Sequence, residues 1–176
     1  MNAPELTGSR LSRRGIEQVN FWGIKSCSFI DGEGARCVLW VSGCGHHCKG
    51  CHNPESWDTE YGDKFTHHDY LAIRKAVSRV TIDGLTLSGG DPMYPDNRSV
   101  IYDLCRMFRR DFGDRKTIWM YTGYTMGKIK GDPILEYIDV VVDGPYIEGL
   151  PSAPYRGSNN QRIWRKTDGI WAEMDM

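Results

Sequence analysis

The chain has 176 residues, a net charge of −1 and a charged fraction of 26%. This length suits a single domain with its own hydrophobic core, and the balanced charge gives no reason to expect a nucleic acid or an anionic membrane as a partner. No apolar run approaches the roughly 20 residues that a membrane-spanning helix needs.

Residues 1–15 contain three arginines together with Ser and Thr, but they lack the apolar centre of a signal peptide. We expect a flexible tail over residues 1–15 and a single folded domain over residues 16–176, located in the cytoplasm. In that compartment the six cysteines are expected to be reduced or metal-bound rather than paired in disulfides.

Short apolar runs typical of buried strands alternate along the chain with segments of helical periodicity. Strands are predicted at Cys37–Val41, Leu85–Leu87, Ile118–Tyr121 and Ile138–Val142, and helices at Tyr70–Val80, Asn97–Arg110 and, less regularly, Thr125–Tyr137. This alternation predicts an α/β fold with a mainly parallel sheet. Because a complete eight-stranded barrel takes about 250 residues, we expect an open, partial (β/α) barrel of about five or six strands.

Each predicted strand ends in a polar turn. The first strand leads into a cysteine loop, and the other three lead into Ser88-Gly89-Gly90-Asp91-Pro92, Tyr121-Thr122-Gly123-Tyr124 and Asp143-Gly144-Pro145-Tyr146. In α/β sheets and barrels the functional residues lie at the carboxyl ends of the strands. These turns are therefore expected to converge on one site.

Cys44, Cys48 and Cys51 form a C-x3-C-x2-C loop. Three thiolates so close together suit an iron–sulfur cluster. A four-iron cluster held by only three thiolates keeps one iron open to a small molecule, as catalytic metal sites keep a coordination position open. The remaining three cysteines, which are Cys27, Cys37 and Cys105, lack ligand spacing and are expected to be structural thiols.

Two other interpretations of the loop are open. One is a zinc site completed by His46, His47 or His52; the other is a redox dithiol of Cys48 and Cys51. A zinc finger usually repeats its ligand pair downstream, which this chain does not do, and a dithiol has no use for Cys44. The spacing favours the cluster.

Further segments add to the cysteine loop. They are Asp31-Gly32-Glu33-Gly34-Ala35-Arg36, the run from Gly43 to Asn53 with Ser56-Trp57, the turns after Leu87 and Val142, and Arg156-Gly157-Ser158-Asn159-Asn160-Gln161-Arg162. With them, the chain from about Phe29 to about Trp164 resembles the activating proteins of anaerobic (class III, glycyl radical) ribonucleoside-triphosphate reductases, within the radical S-adenosylmethionine (SAM) superfamily. The cysteine loop alone indicates only the superfamily.

The resemblance implies one 4Fe-4S cluster, for which Cys44, Cys48 and Cys51 are both the metal ligands and the catalytic residues, and SAM bound at the open iron. It implies reductive cleavage of SAM and abstraction of a hydrogen atom from a glycine of the reductase. The implied partners are that reductase and a one-electron donor such as flavodoxin.

The resemblance also implies cofactor-binding residues. Ser88, Gly89 and Gly90 match the glycine-pair motif of the superfamily, in which main-chain groups meet the amino group of SAM, and Asp91 belongs to the same turn. A plain loop between strand and helix is the structural alternative.

Four further residues are expected to bind the cofactor by their position. Thr122 and Asp143 are candidates for contacts with the ribose or carboxylate of SAM, or else they cap helices and turns. Gly50 precedes the last cysteine and offers main-chain contacts. His52 is the nearest side chain for stacking on the adenine, with a solvated loop histidine as the alternative.

Two polar segments are expected to surround the site. The segment from Asp31 to Arg36 is expected either to shape the entrance near the cluster or to be a plain turn. The segment from Arg156 to Arg162 is expected either beside the partner or in a plain surface loop.

Three rival functions stay open. They are activation of another glycyl radical enzyme such as pyruvate formate-lyase, a small radical SAM enzyme of deazapurine synthesis, and a zinc-binding interaction module without catalysis. The short chain and Gly50 favour the reductase activase over the first.

Overall fold

The computed structural model describes residues 19–175, and the tail expected over residues 1–15 lies outside them. The strands, in chain order, are β1 (Asn20–Ser28), β2 (Arg36–Val41), β3 (Asp63–Lys64), β4 (Gly84–Gly89), β5 (Thr117–Thr122), β6 (Val140–Asp143), β7 (Arg162–Thr167) and β8 (Ile170–Met174). The helices are α1 (His67–Val77), α2 (Arg98–Phe112) and α3 (Met126–Ile129), with single 3-10 turns at Pro54–Trp57, Gly113–Arg115 and Pro133–Glu136.

All eight strands form one mixed sheet in the order β3-β1-β2-β4-β5-β6-β7-β8. The four central strands, β2, β4, β5 and β6, are parallel neighbours and correspond to the four predicted strands. The outer pairings are antiparallel. The prediction of five or six mainly parallel strands is therefore wrong in number and correct only for the centre of the sheet.

The hairpin of β7 and β8 shows why strands were missed. Thr167 pairs with Ile170 across a two-residue loop, and both loop residues, Asp168 (φ 50°) and Gly169 (φ 78°), have positive φ. An Asp-Gly pair is a strong signal for such a tight hairpin turn, because Gly and Asp tolerate this conformation. The sequence contained this signal, but the charged residues around it hid the apolar alternation.

The helices begin and end at recognisable residues. Thr66 and Asp69 form a capping box at the start of α1, which satisfies main-chain N–H groups that have no partner within the helix. The third predicted helix is interrupted: α3 ends at Ile129, and a separate 3-10 turn begins at Pro133. Gly131 (φ 92°) lies between them and breaks the helix.

The two faces of the sheet are covered differently. Side chains on one face, among them Leu39, Leu87 and Met120, join the apolar residues of the helices in one core cluster. Trp119 and Val142, on the opposite face, belong to a separate cluster that contains no helical residue. Within residues 19–175, this face carries no helix, and loops cover part of it.

Two loops meet at Trp119 on the helix-free face. A Cβ on Gly32 would lie 2.8 Å from the Trp119 ring, and the ring of Tyr155 packs edge-on against it at 5.6 Å. The loop between β1 and β2 and the loop between β6 and β7 therefore both lie on this face. Among residues 19–175, no helix is long and apolar enough to cross a membrane.

Arg36 joins three strands through a buried guanidinium group. It donates to Thr86 Oγ1 at 3.1 Å, to Leu85 O at 2.6 Å and to Thr117 Oγ1 at 2.6 Å. Burial lowers the pKa of Arg36 to about 10, against the opposing effect of Asp83, so the group stays charged at neutral pH. Arg36 therefore has a structural role at the amino ends of the strands, whereas Asp31, from the same segment, lines the cavity that contains the three cysteines of the loop.

Candidate functional site

A cavity of about 250 Å³ opens where the parallel strands end. It is lined by Cys44, Cys48 and Cys51, by Ser88, Gly89 and Gly90 at the end of β4, by Thr122 and Gly123 at the end of β5, and by Gly144 and Tyr146 after β6. The predicted convergence of the four turns is therefore confirmed. A cavity of about 570 Å³ between Glu33, Asp83 and Arg165 contains no cysteine.

Main-chain hydrogen bonds fix the start of the cysteine loop. Gly43 N donates to Ser56 O at 2.8 Å, and Cys44 N donates to Trp57 O at 3.2 Å. Asp91 N donates to Gly43 O at 2.8 Å. The loop is thus held both by the 3-10 turn that follows it and by the turn after β4.

The three thiols are free and half-buried, and each receives main-chain N–H groups. His46 and His47 donate to Cys44 Sγ, Tyr146 donates to Cys48 Sγ, and Asn53 N lies 3.5 Å from Cys51 Sγ. Hydrogen bonds of this kind stabilise thiolates and tune iron–sulfur clusters.

Burial opposes ionisation of two of these thiols. It raises the pKa of Cys44 to about 11 and also raises the pKa of Cys48, whereas the main-chain donors act in the opposite direction. Metal ligation must therefore displace these protons. Within residues 19–175, no group of three or more His, Cys, Asp or Glu side chains is arranged to hold a single metal ion.

The two glycines at the end of β4, Gly89 and Gly90, are required by packing. A Cβ on Gly90 would lie 2.6 Å from Gly43 O and 2.7 Å from Ser56 O. Gly89 has φ 108°, and a Cβ there would lie 2.4 Å from Val41 O. Both main chains line the cavity, so the absence of side chains brings the strand end and the cysteine loop together beside it. These residues fit a ligand that is bound by main-chain groups.

The Asp91 carboxylate is turned away from the cavity. Its Oδ2 lies 2.8 Å from His46 Nε2 and accepts from Thr122 Oγ1 at 3.1 Å and Gly123 N at 3.0 Å, while Oδ1 accepts from Met93 N at 2.8 Å. Asp91 is not among the residues that line the cavity. Thr122 does line it, although its hydroxyl is directed to Asp91.

Asp143 is also occupied by protein donors. It is fully buried, accepts from the main-chain N of Met126 at the start of α3, and pairs with Arg162 at 2.7 Å. These contacts support the capping alternative left open by the sequence.

Gly50 and His52 lie at the edge of the site. Gly50 has φ 69° and is covered by Glu148, since a Cβ there would lie 2.6 Å from Glu148 Oε1. It is not among the lining residues. His52 does line the cavity, and its ring lies 4.9 Å from the ring of Tyr146.

Sequence reasoning missed the part that the polar segment before β7 plays in the site. Gln161 Oε1 accepts from Gly157 N at 2.8 Å, and Gln161 Nε2 donates to Gly144 O at 3.0 Å. Asn160 Nδ2 donates to Pro145 O at 2.9 Å. The segment holds the turn after β6 against the cavity, which no local sequence signal indicates.

Residues 30–164 match the model of a family described as a 4Fe-4S single cluster domain. The anaerobic ribonucleoside-triphosphate reductase-activating protein of Enterobacteria phage T4 is 43% identical over 154 residues, which cover 87% of this chain and 98% of the phage protein. The protein of the same name from Vibrio cholerae is 41% identical over 144 residues, covering 78% and 92%. That of Escherichia coli strain K12 is 35% identical over 151 residues, covering 82% and 97%.

These matches decide among the interpretations that the sequence left open. They favour the cluster over the zinc site and the dithiol, and reductase activation over the three rival functions. The chain belongs to the family of anaerobic ribonucleoside-triphosphate reductase-activating proteins and carries its 4Fe-4S domain of the radical SAM type.

Proposed function

We propose that Cys44, Cys48 and Cys51 hold three irons of one 4Fe-4S cluster, that SAM binds at the fourth iron, and that the protein forms a glycyl radical on an anaerobic ribonucleoside-triphosphate reductase. One observation carries the proposal: the three thiols share a cavity with the turns after β4, β5 and β6. The relatives, whose names state that they activate this reductase, support the same partner.

The bound cluster and SAM supply a one-electron reductive cleavage of a C–S bond and, with it, the ability to take a hydrogen atom from carbon. The protein positions the cluster and SAM and shields them from water. The thiolates would hold the cluster, and the main-chain groups of Ser88, Gly89 and Gly90, which line the same cavity, would meet the amino group of SAM. Trp40 and Tyr121 line the helix-free side of the cavity and exclude water there.

We further propose that the sheet forms an open, partial barrel whose open side receives the partner. The helices cover only one face, and hydrogen transfer requires the glycine α-carbon within about 3–3.5 Å of the reacting atom. A glycine-bearing segment of the reductase therefore enters from the helix-free side. An external donor such as flavodoxin supplies the electron, and a reducing cytoplasm suits the free thiols.

Anaerobic reconstitution with iron and sulfide tests the proposal. About four irons and four sulfides per chain are expected, together with reductant-dependent cleavage of SAM to methionine and 5′-deoxyadenosine. Incubation with the reductase should give a glycyl EPR signal, and a parallel incubation with pyruvate formate-lyase should give none. A preparation without inorganic sulfide that still activates the reductase would overturn the proposal.

A further inference from the structure

The ring of His46 is held by residues from the turns after β4 and β5. Its Nε2 lies 2.8 Å from Asp91 Oδ2, and its ring packs edge-on against Tyr124 with centroids 4.6 Å apart. Gly123 touches the ring from a third side, because a Cβ there would lie only 2.4 Å from His46 Cδ2. The side chain is 19% exposed. A loop histidine with these contacts is held in one orientation.

The Asp91 carboxylate that receives this ring is itself 1% exposed. Its Oδ2 already accepts the N–H of Gly123 and the hydroxyl of Thr122. Since a carboxylate oxygen can only accept from them, the His46 nitrogen that faces it must carry a proton. The contacts assign the Nε2–H tautomer to His46.

The main chain of Asp91 also forms hydrogen bonds that connect the turn after β4 to the start of the cysteine loop. Asp91 N donates to Gly43 O at 2.8 Å, and Asp91 O accepts from the buried side chain of Asn97 at 2.9 Å. Asn97 also donates to Ser42 O at 2.8 Å. Asp91 thus links the turn after β4 and the turn after β5 to Gly43, just before the cysteine loop, and to His46 within it.

Tyr124 is supported in turn by α2. The guanidinium of Arg98 lies 5.5 Å from the centroid of the Tyr124 ring, a distance typical of a cation–π contact. His46 is therefore packed against a ring that a residue of α2 also contacts.

We propose that His46 and Asp91 form a positioning pair that fixes the Cys44–Cys48 half of the cysteine loop, and that Asp91 acts through His46 rather than by contact with SAM. His46 lies two residues from each of these cysteines, and its main-chain N–H donates to Cys44 Sγ. Any displacement of the ring therefore moves a sulfur ligand and its hydrogen bond. The effect on the cluster rests on the proposed function, whereas the pair itself is a property of the metal-free chain.

The first experiment uses the metal-free protein. Nitrogen-15 NMR of the histidine rings should show a His46 Nε2–H proton that exchanges slowly with water, and this signal should be lost in Asp91→Ala. A His46 ring protonated only on Nδ1, or one in fast exchange, would overturn the proposal. This measurement does not depend on the proposed function.

The second experiment is a double-mutant cycle on the rate of glycyl radical formation. His46→Phe and Asp91→Asn should each lower the rate about 10- to 100-fold, the usual effect of losing a partner of a metal ligand. The double variant should be no slower than the worse single variant, because both remove one interaction. A different outcome would show that Asp91 contacts SAM directly. In that outcome the fold losses in rate of the two single variants multiply in the double variant, and among the single variants only Asp91→Asn loses affinity for SAM.

Rescue and displacement variants complete the test. His46→Gln keeps a side-chain N–H donor and should restore the rate to within a few-fold of wild type. Gly123→Ala keeps both members of the pair but displaces the ring, so it should shift the EPR spectrum of the reduced cluster. His68→Phe, at an exposed position on α1, is the matched control and should leave rate and spectrum unchanged. If His46→Phe or Gly123→Ala behaves as this control does, the proposal fails, whereas an inactive wild type would instead reject the proposed function.

Discussion

The main-chain N–H of Tyr146, in the turn after β6, donates to Cys48 Sγ in the loop after β2. The two segments are joined at two further points: the Tyr146 ring lies 4.9 Å from the His52 ring, and Glu148 pairs with Lys49 at 3.1 Å. The surface ion pair contributes little. The hydrogen bond to sulfur matters more, because it links the cluster site to a turn almost one hundred residues away in sequence.

Gln161 is predicted to maintain this link. Gln161→Leu removes the acceptor of Gly157 N and the donor to Gly144 O, which leaves partly buried main-chain groups unpaired. We expect a loss of about 1–3 kcal/mol in the free energy of unfolding and a changed reduction potential of the cluster, measured by urea denaturation and by redox titration. Asn159→Ala, at an exposed neighbouring position, is the control. An unchanged potential in Gln161→Leu would show that the turn does not act on the cluster.

Cys48→Ala is predicted to abolish the cluster and the glycyl radical together. Cys48 lines the cavity with the other two thiols, and a cluster with only two protein ligands is not held. Iron and sulfide content and the EPR signal of the partner measure the effect. Cys27→Ala provides the comparison, since Cys27 packs against the apolar core instead and its variant should retain full iron content. A colourless Cys48→Ala protein that still activated the reductase would contradict the assignment.

Gly90→Ala is predicted to displace the cysteine loop. The new methyl group would lie 2.6 Å from Gly43 O and 2.7 Å from Ser56 O, and main-chain atoms cannot yield as a flexible side chain does. The expected cost is about 1–3 kcal/mol of stability, with reduced iron incorporation. Gly127→Ala, where nothing lies within 4 Å of the added Cβ, should be neutral or slightly stabilising because Ala favours the helix. Equal stability of the two variants would refute the packing requirement.

Arg36→Lys is predicted to destabilise the sheet although it keeps the charge. The single ammonium group of a lysine cannot replace the planar guanidinium group of Arg36, which donates hydrogen bonds to Thr86, Leu85 and Thr117 at the same time. We expect the free energy of unfolding to fall by about 2–4 kcal/mol, since buried acceptors lose charged donors. Arg106→Lys, whose ion pair with Asp103 is exposed, should change it by less than about 1 kcal/mol. Urea denaturation of both variants measures the two free energies of unfolding, and equal losses would contradict the prediction.

The sequence predicted the centre of the fold because local signals agree there. The runs around Leu39, Met120 and Val141 are continuous and apolar, and the run around Leu87 is interrupted only by Thr86, as suits strands buried on both faces; the observed parallel strands coincide with these runs. The outer strands are hidden in the sequence because their residues are partly exposed: β7 contains Arg162, Arg165 and Lys166, and it belongs to a hairpin rather than to a βαβ unit.

In the candidate site, too, some features follow from local sequence signals and others depend on tertiary contacts. The sequence by itself predicted the three cysteine ligands, and it determined the family and the convergence of the turns, because ligand spacing and strand ends are local properties of the chain. Only the tertiary structure decided that Asp91 and Asp143 are occupied by protein donors, that His46 is clamped, and that Gln161 and Tyr146 support the cysteine loop. These roles depend on which donors meet each buried acceptor, and that is fixed when distant segments pack together.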